Sequence, residues 1–138
     1  MQWFYLSAYQ RYKSSVCSVL LCIGLKIYFY DNGIRNALIA NFSQIENRTD
    51  LGALWKNFLI SERMKSNHYN GKWCNSWFWH TTKGQEVDYI EEEDCKISAY
   101  EFKWNEKVKT KQPKLFLGTY ENSNFSVIHK ENFEDFLL

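Results

Sequence analysis

The chain has 138 residues, a length typical of one domain, and its formal net charge is +1. Hydrophobic residues make up 45% of the chain and aromatic residues 18%, which is enough for one packed core. A net charge this small excludes a whole-chain field that attracts nucleic acid. A DNA contact would therefore need a local basic patch. One candidate patch is formed by Lys103, Lys107, Lys109, Lys111 and Lys114. A solvated loop is at least as good an interpretation of these lysines.

The cysteines and the apolar stretch near the N-terminus limit the kinds of protein that this chain can be. The four cysteines lie at scattered spacings without a CxxC pair, so we interpret them as reduced, which is typical of a cytoplasmic protein. Residues 17–25, CSVLLCIGL, are too short to cross a bilayer as a helix, so we expect a buried strand or helix there and no membrane partner. No GxxxxGK[ST] motif occurs, so we expect no ATP site of the P-loop type.

The first half of the chain predicts one strand and two helices. Residues 26–33, KIYFYDNG, indicate a strand followed by a turn, and residues 33–42 a short helix. Thr49 and Asp50 are residue types that cap helix N-termini, and they precede residues 51–66. In that segment apolar residues recur at helical spacing and form one stripe: Leu51, Leu54, Trp55, Phe58, Leu59 and Met64.

The second half predicts a three-strand meander, a helix, a strand and a closing helix. The predicted strands are 73–80, 85–91, 96–104 and 125–130, with an acidic loop at 91–94. Pro113 is expected to open a helix that runs through Tyr120, and residues 132–138 form the last helix. This order of elements predicts an α/β sandwich with a mixed central β-sheet flanked by helices.

Charged residues stand inside two of these strands, in the segment GQEVDYIEEEDCKISAYEFKW. Side chains alternate along a strand, so Glu86 and Asp88 share one face of their strand, and Glu101 and Lys103 share one face of theirs. If the hairpin turns between residues 93 and 94, Asp88 lies opposite Ala99 and Glu86 lies opposite Glu101. Asp88 then reaches Glu101 on the diagonal, at roughly 7–8 Å.

Two interpretations of this constellation stay open. Carboxylates gathered on a covered face would repel each other, and a hard cation such as Mg²⁺ resolves that conflict with oxygen ligands. Asp88 and Glu101 would then bind the metal, and Lys103 would orient a water or steady a phosphate. The alternative is a solvent-facing hairpin with alternating charge, which the spacing alone favours slightly.

Longer stretches of the sequence carry a resemblance. EVDYI followed by EFK resembles the PD-(D/E)XK nuclease motif. Together with KIYFYDNGIRNALI, RTDLGALWKNFLISERMK and FWHTTKGQEVDYIEEED, it resembles the domain of unknown function at the C-terminus of many bacterial and archaeal AAA-type ATPases. The resemblance runs from Lys26 to the end, so 26–138 would be one nuclease-like domain and 1–25 an atypical N-terminal segment. It implies a restriction-endonuclease-like three-layer sandwich and an upstream ATPase domain that is absent from this sequence.

The resemblance also implies a site. Its catalytic residues would be Asp88, Glu101 and Lys103, with Mg²⁺ or Mn²⁺ on Asp88 and Glu101, and with Glu86 in support. An acidic residue is expected on the preceding helix, where the family pattern GALWEN has Glu and this chain has Lys56. Lys56 could pair with the carboxylates and take the place of a metal, which argues against full activity.

Three functions follow as hypotheses. The first is a Mg²⁺-dependent nuclease acting on DNA. The second is a catalytically inactive module that serves nucleic-acid binding, oligomerisation or regulation of an ATPase. The third is a protein-interaction domain with an aromatic patch of tryptophans: Trp73, Trp77, Trp79 and Trp104. The partners implied are DNA, an ATPase domain or homologous protein, and a second copy of the chain.

Overall fold

The structure is a computed structural model that describes residues 3–8, 25–81 and 84–138, with only the backbone described for residues 3–8. Within these ranges it has six strands, four α-helices and one short 3-10 helix. The strands are β1 (Trp3–Ala8), β2 (Leu25–Phe29), β3 (Asn75–His80), β4 (Glu86–Glu93), β5 (Lys96–Phe102) and β6 (Ser123–Ile128). The helices are α1 (Asn32–Leu38), α2 (Leu51–Tyr69), α3 (Lys114–Thr119) and α4 (Phe133–Leu137), and the 3-10 helix is Ile45–Asn47.

The strands form one mixed sheet in the order β2-β1-β3-β4-β5-β6. The pairs β2–β1, β3–β4 and β4–β5 are antiparallel, and the pairs β1–β3 and β5–β6 are parallel. Strand β4 is therefore an inner strand, which explains why five consecutive residues from Val87 to Glu91 are buried. The predicted mixed sheet with helices is confirmed.

Two clusters of apolar side chains pack on the sheet. The first joins α2 and α4 to the sheet through residues such as Leu59, Tyr89 and Phe136. The second joins α3 to the sheet through Phe116 and Ile90. Burying each large side chain of this kind contributes about 1.5–3 kcal/mol, so both clusters stabilise the fold. Helices thus cover the sheet on the side of α2 and α4 and on the side of α3.

The long helix α2 begins and runs as its pattern predicts, from Leu51 to Tyr69. Asp50 is the N-cap residue, but its side chain does not cap the helix as expected. It binds Arg48 and Arg35 instead, with both Arg48 contacts at 2.9 Å. These two guanidinium groups lower the pKa of Asp50 to about 2. The start of α2 is therefore held by ion pairs to the segment before it.

Asn57 fixes α2 against the sheet. Its side-chain amide accepts a hydrogen bond from the backbone N–H of Phe29 at 2.8 Å and donates to the carbonyl of Phe29 at 2.9 Å. It also donates to Asn32 Oδ1 at 2.9 Å. A buried amide that satisfies a backbone N–H and a C=O in this way positions two elements relative to each other. The residue next to it on the helix is Lys56.

Part of the N-terminal segment belongs to the sheet. Trp3–Ala8 is strand β1, which lies between β2 and β3. The division of the chain at residue 25 stays a prediction. Most of the apolar stretch at 17–25 lies outside the described residues. Its last residue, Leu25, begins β2 and is 56% exposed. The sequence pattern did not reveal β1 because a single aromatic run is equally compatible with several structures.

The hairpin between β4 and β5 also corrects the prediction. Residues 91–93 continue β4 and do not form a loop. The turn is Asp94 and Cys95, both with positive φ (47° and 63°), as a two-residue hairpin turn of type I′ requires. Ile90 pairs with Ala99, so the predicted pairing of Asp88 with Ala99 is wrong by two residues.

A β-bulge in β4 changes which side chains share a face. Trp77 of β3 pairs with Ile90, but Trp79 pairs with Val87, so one residue of β3 stands opposite two residues of β4, Asp88 and Tyr89. Val87 and Ile90 pack in the cluster under α3, whereas Tyr89 packs in the cluster under α2. Strict alternation would place Val87 with Tyr89 and Asp88 with Ile90, and the bulge breaks that alternation.

Candidate functional site

Helix α2 and strand β4 meet through an ion pair between Lys56 and Asp88. The Asp88 side chain is fully buried, and that of Lys56 is 30% exposed. The ammonium group of Lys56 donates to Asp88 Oδ1, and the backbone N–H of Phe102 on β5 donates to Oδ2 at 3.0 Å. Both oxygens of the buried carboxylate thus have a donor. Because of the bulge in β4, Asp88, Tyr89 and Glu91 all lie on the side of the sheet that α2 covers.

The surroundings of Lys56 keep it charged. Burial by itself lowers the pKa of an ammonium group, but the charge of Asp88 and its hydrogen bond outweigh burial. Glu86 and Glu101 add to the attraction, and the net result is a raised pKa for Lys56. The ammonium group is therefore a permanent cation among three carboxylates.

Glu101 lies at the same site, next to Lys103. Lys103 Nζ donates to Glu101 Oε1 at 2.7 Å. The other oxygen, Oε2, is buried and has no hydrogen-bond partner in the described part of the chain. Burial and the charge of Asp88 raise the pKa of Glu101, although Lys103 and Lys56 oppose them. The ionised form of Glu101 is thus disfavoured relative to a carboxylate in water.

Glu86 is paired in the same way. The ammonium group of Lys26 on β2 binds Glu86 Oε1 and also lies 4.5 Å from the ring centroid of Phe78. The hydrogen bond and charge of Lys26 lower the pKa of Glu86 against the effect of its burial. Every predicted site carboxylate therefore has its own lysine, and we call the whole set the lysine–carboxylate cluster: Lys26–Glu86, Lys56–Asp88 and Lys103–Glu101.

The cluster does not fit a divalent cation. Mg²⁺ and Mn²⁺ bind where several carboxylate oxygens converge, but the buried carboxylate of Asp88 already has a cation, the ammonium group of Lys56, on Oδ1, and the N–H of Phe102 on Oδ2. Glu101 offers one unpartnered oxygen, Oε2. In residues 25–81 and 84–138, no group of three or more His, Cys, Asp or Glu side chains is arranged to hold a metal. The position that a cation would neutralise is filled by the ammonium group of Lys56.

A second ion pair between the same two elements was not anticipated. Arg63 binds Glu91 through two parallel contacts of 2.9 Å, Nε to Oε1 and Nη2 to Oε2. Asn67 and the hydroxyl of Tyr89 also donate to Glu91 Oε1, at 2.9 and 3.1 Å. Glu91 is only 4% exposed, and these donors lower its pKa against the effect of burial. Strand β4 thus carries a buried carboxylate, Glu91, whose two oxygens both accept hydrogen bonds.

The spacing of the two ion pairs gives the signal that could have revealed them. Lys56 and Arg63 are seven residues apart, which places them on one face of a helix about 10 Å apart. Asp88 and Glu91 are three residues apart, which is also about 10 Å along a strand. An odd spacing normally puts strand residues on opposite faces, and the bulge removes that conflict. Two cations on the helix therefore match two carboxylates on the strand.

The tryptophans do not form the predicted aromatic patch. Trp79 is buried, and Trp77 and Trp104 are partly buried against the two core clusters. Trp73 is 90% exposed and stands apart from that core. Three of the four tryptophans therefore contribute to the interior, and the protein-interaction hypothesis stays a hypothesis.

The sequence places the chain in a family. Residues 51–135 match the family described as Domain of unknown function (DUF4143), which is more than half of the chain. The chain belongs to this family. The matched region contains α2, β4 and β5, and so includes Lys56, Asp88, Glu101 and Lys103. No curated protein and no solved structure matches the chain.

Among the described residues, no helix is both long enough and apolar enough to cross a membrane.

Proposed function

We propose that this chain is a nuclease-like domain of the kind that follows AAA-type ATPases, and that Lys56 has closed its metal site. The domain then works as a non-catalytic binding or regulatory module of the ATPase. The restriction-endonuclease-like sandwich is the form of α/β fold that this proposal requires. The observation that carries the proposal is the ion pair between Lys56 and the buried Asp88.

The difference between the ammonium group of Lys56 and a divalent metal ion explains the expected loss of activity. An ammonium group neutralises Asp88 as a divalent cation would. It does not lower the pKa of a bound water or offer open coordination positions to a phosphate, which are the contributions of a catalytic metal. Lys103 remains next to Glu101, but its ammonium group is engaged with that carboxylate at 2.7 Å. The cluster thus keeps the carboxylates and the lysine of a nuclease-like site, but each carboxylate is neutralised by a lysine of the same chain.

A cleavage assay tests this proposal. Supercoiled plasmid, linear duplex and single-stranded DNA are incubated with the wild type, Asp88→Asn, Lys56→Glu and Lys56→Glu/Asp88→Asn, in Mg²⁺ and in Mn²⁺. We expect no divalent-dependent cleavage by the wild type. Lys56→Glu restores a carboxylate beside Asp88 and is expected to gain cleavage, and the double variant is expected to lose it again. Cleavage by the wild type that Asp88→Asn abolishes would overturn the proposal.

One observation favours a second candidate, an active metal-dependent nuclease. Glu101 Oε2 is buried and has no partner among the described residues, as a metal ligand awaiting its ion would be. For this candidate Lys56 would have to move away from Asp88 when the ion binds. That movement is costly because it separates the ammonium group from the carboxylate of Asp88, which is fully buried. The same cleavage assay decides between the candidates, because only the second predicts activity of the wild type.

A further inference from the structure

A lysine-rich segment leaves the candidate site directly. We call residues 103–114 the lysine loop; it begins after β5 and ends at the first residue of α3. It contains five of the 17 basic residues of the chain and one of the 16 acidic residues, so it carries +4 and the rest of the chain carries −3. The near-zero net charge of the whole chain therefore conceals a strong local asymmetry.

The lysines of the loop differ from those in the body of the domain. Lys26, Lys56 and Lys72 are paired with carboxylates of the sheet. Four lysines of the loop are exposed, and within the described ranges no carboxylate lies at ion-pair distance from them: Lys107, Lys109, Lys111 and Lys114. Their charges are therefore available to an external anion.

The backbone of the loop is anchored at both ends. Near its start, the side chain of Asn105 accepts from the backbone N–H of Lys107 at 3.0 Å, and the carbonyl of Asn105 accepts from Val108 at 3.2 Å. Near its end, Pro113 is buried, and its carbonyl accepts from Leu117 in α3 at 3.0 Å. Such anchors lower the conformational entropy that is lost when the exposed lysines bind a partner.

From this arrangement we infer that the lysine loop binds the phosphate backbone of nucleic acid, without reading its sequence. Ammonium groups neutralise phosphates as point charges, and the four exposed groups are all lysines, so they offer no fork of donors matched to base edges. The loop starts two residues after Glu101, and its first residue, Lys103, is itself a member of the lysine–carboxylate cluster. This inference deepens the proposed function, on which the choice of nucleic acid as the polyanion rests.

The affinity of the lysine loop for DNA is expected to fall with salt concentration by a calculable amount. Four phosphate contacts give a slope of log affinity against log salt of about −3.6 on duplex DNA and about −2.8 on a single strand. Loss of two lysines is expected to reduce the slope on duplex DNA by about 2. Binding is expected to be independent of base sequence at constant length and salt.

The experiment is a titration of fluorescein-labelled 20-mer DNA, followed by anisotropy between 50 and 200 mM salt. It compares the wild type with Lys107→Gln/Lys109→Gln and with the matched control Lys96→Gln/Lys130→Gln. The control removes the same charge at exposed positions outside the loop. Thermal unfolding of each variant establishes that its fold is intact. We expect the wild type and the control to share one slope and the loop variant to have the smaller one.

Two results would overturn the inference. They are no DNA binding by the wild type at 50 mM salt, and equal slopes for the loop variant and the control. Neither of them depends on metal binding or cleavage by Lys56→Glu. Failure of the lysine loop and failure of the proposed function are therefore distinguishable.

Discussion

Lys56 of α2 and Asp88 of β4 form an ion pair in which one partner is fully buried and the other still reaches solvent. The pair stands where the family resemblance leads one to expect a metal ion. It also joins the helix to the central strand, so its contribution to stability and its effect on the site are linked. The asymmetry of burial gives the first prediction.

Replacing Lys56 is expected to cost more stability than replacing Asp88. Lys56→Met leaves a carboxylate buried without its cation, and we expect a loss of about 3 kcal/mol, the low end for a broken buried pair because Lys56 is partly exposed. Asp88→Asn keeps an acceptor for Phe102 and leaves an ammonium group that can turn to water, for a loss of about 1 kcal/mol. Urea unfolding measures both. Lys65→Met, on the same helix, is the control; the reverse order of the two losses would contradict this account.

Glu101→Gln is expected to stabilise the protein at neutral pH. Burial and the charge of Asp88 raise the pKa of Glu101 in the folded state, so the folded protein binds this proton more tightly than the unfolded chain does. Stability therefore falls as pH rises from the ordinary glutamate pKa, about 4.3, through the folded-state pKa. The gain from Glu101→Gln should be full above that window and vanish below it. Unfolding free energies from pH 4 to pH 8 test this, and Glu121→Gln, at an exposed position, serves as the control.

The Arg63–Glu91 pair is expected to be a structural contact. Arg63→Met leaves Glu91 buried and without its cation, which costs about 3–5 kcal/mol. The double variant Arg63→Met/Glu91→Leu removes the stranded charge and is expected to be more stable than Arg63→Met alone. Chemical unfolding of the three proteins gives the comparison. If the double variant is no more stable than Arg63→Met, the account is contradicted. The hydrogen bonds from Asn67 and Tyr89 to the carboxylate would then stabilise the protein at least as much as removal of the unpaired charge does.

Acid is expected to loosen the start of α2. Arg48 and Arg35 lower the pKa of Asp50 to about 2, so its contribution to stability is complete above the ordinary aspartate pKa, about 3.9. That contribution is lost as pH falls from about 4 toward 2. Asp50→Asn should therefore be less stable than the wild type at pH 6, with a deficit that shrinks in this window. Asp94→Asn is the matched control, since asparagine tolerates the positive φ there. A deficit that stays constant down to pH 2 would count against the Asp50 assignment.

The sequence predicts much of the element order and less of the pairing. Helix α2 was predictable because its apolar residues recur at helical spacing over several turns. The register of β4 and β5 was not predictable, because it depends on a turn formed by Asp94 and Cys95. Asp is common at the first position of such a turn, but Cys is unusual at the second, where Gly is preferred. The bulge at Asp88 and Tyr89 has no local signal, so strict alternation assigned the wrong faces on β4.

The candidate site divides in the same way. The resemblance identified Lys56 as the departure from the family pattern, and the structure places its ammonium group on Asp88. The Arg63–Glu91 pair was not predicted because the four acidic residues 91–94 are typical of an exposed loop. The structure shows instead that residues 91–93 continue β4 and that Glu91 is buried. Burial arises from the neighbouring strands β3 and β5, which is a tertiary property that a local pattern does not contain.

Calorimetric titration with Mn²⁺ tests the central claim most directly. It compares the wild type, Asp88→Asn, Lys56→Glu and Lys56→Glu/Asp88→Asn. With Lys56 in the place of the cation, the wild type should give no binding heat, Lys56→Glu should bind one ion, and the double variant should bind none. Binding by the wild type that Asp88→Asn abolishes would contradict the claim that the site is closed. Absence of binding by Lys56→Glu would show that these carboxylates are ordinary charges of the sheet and would contradict the nuclease-like assignment.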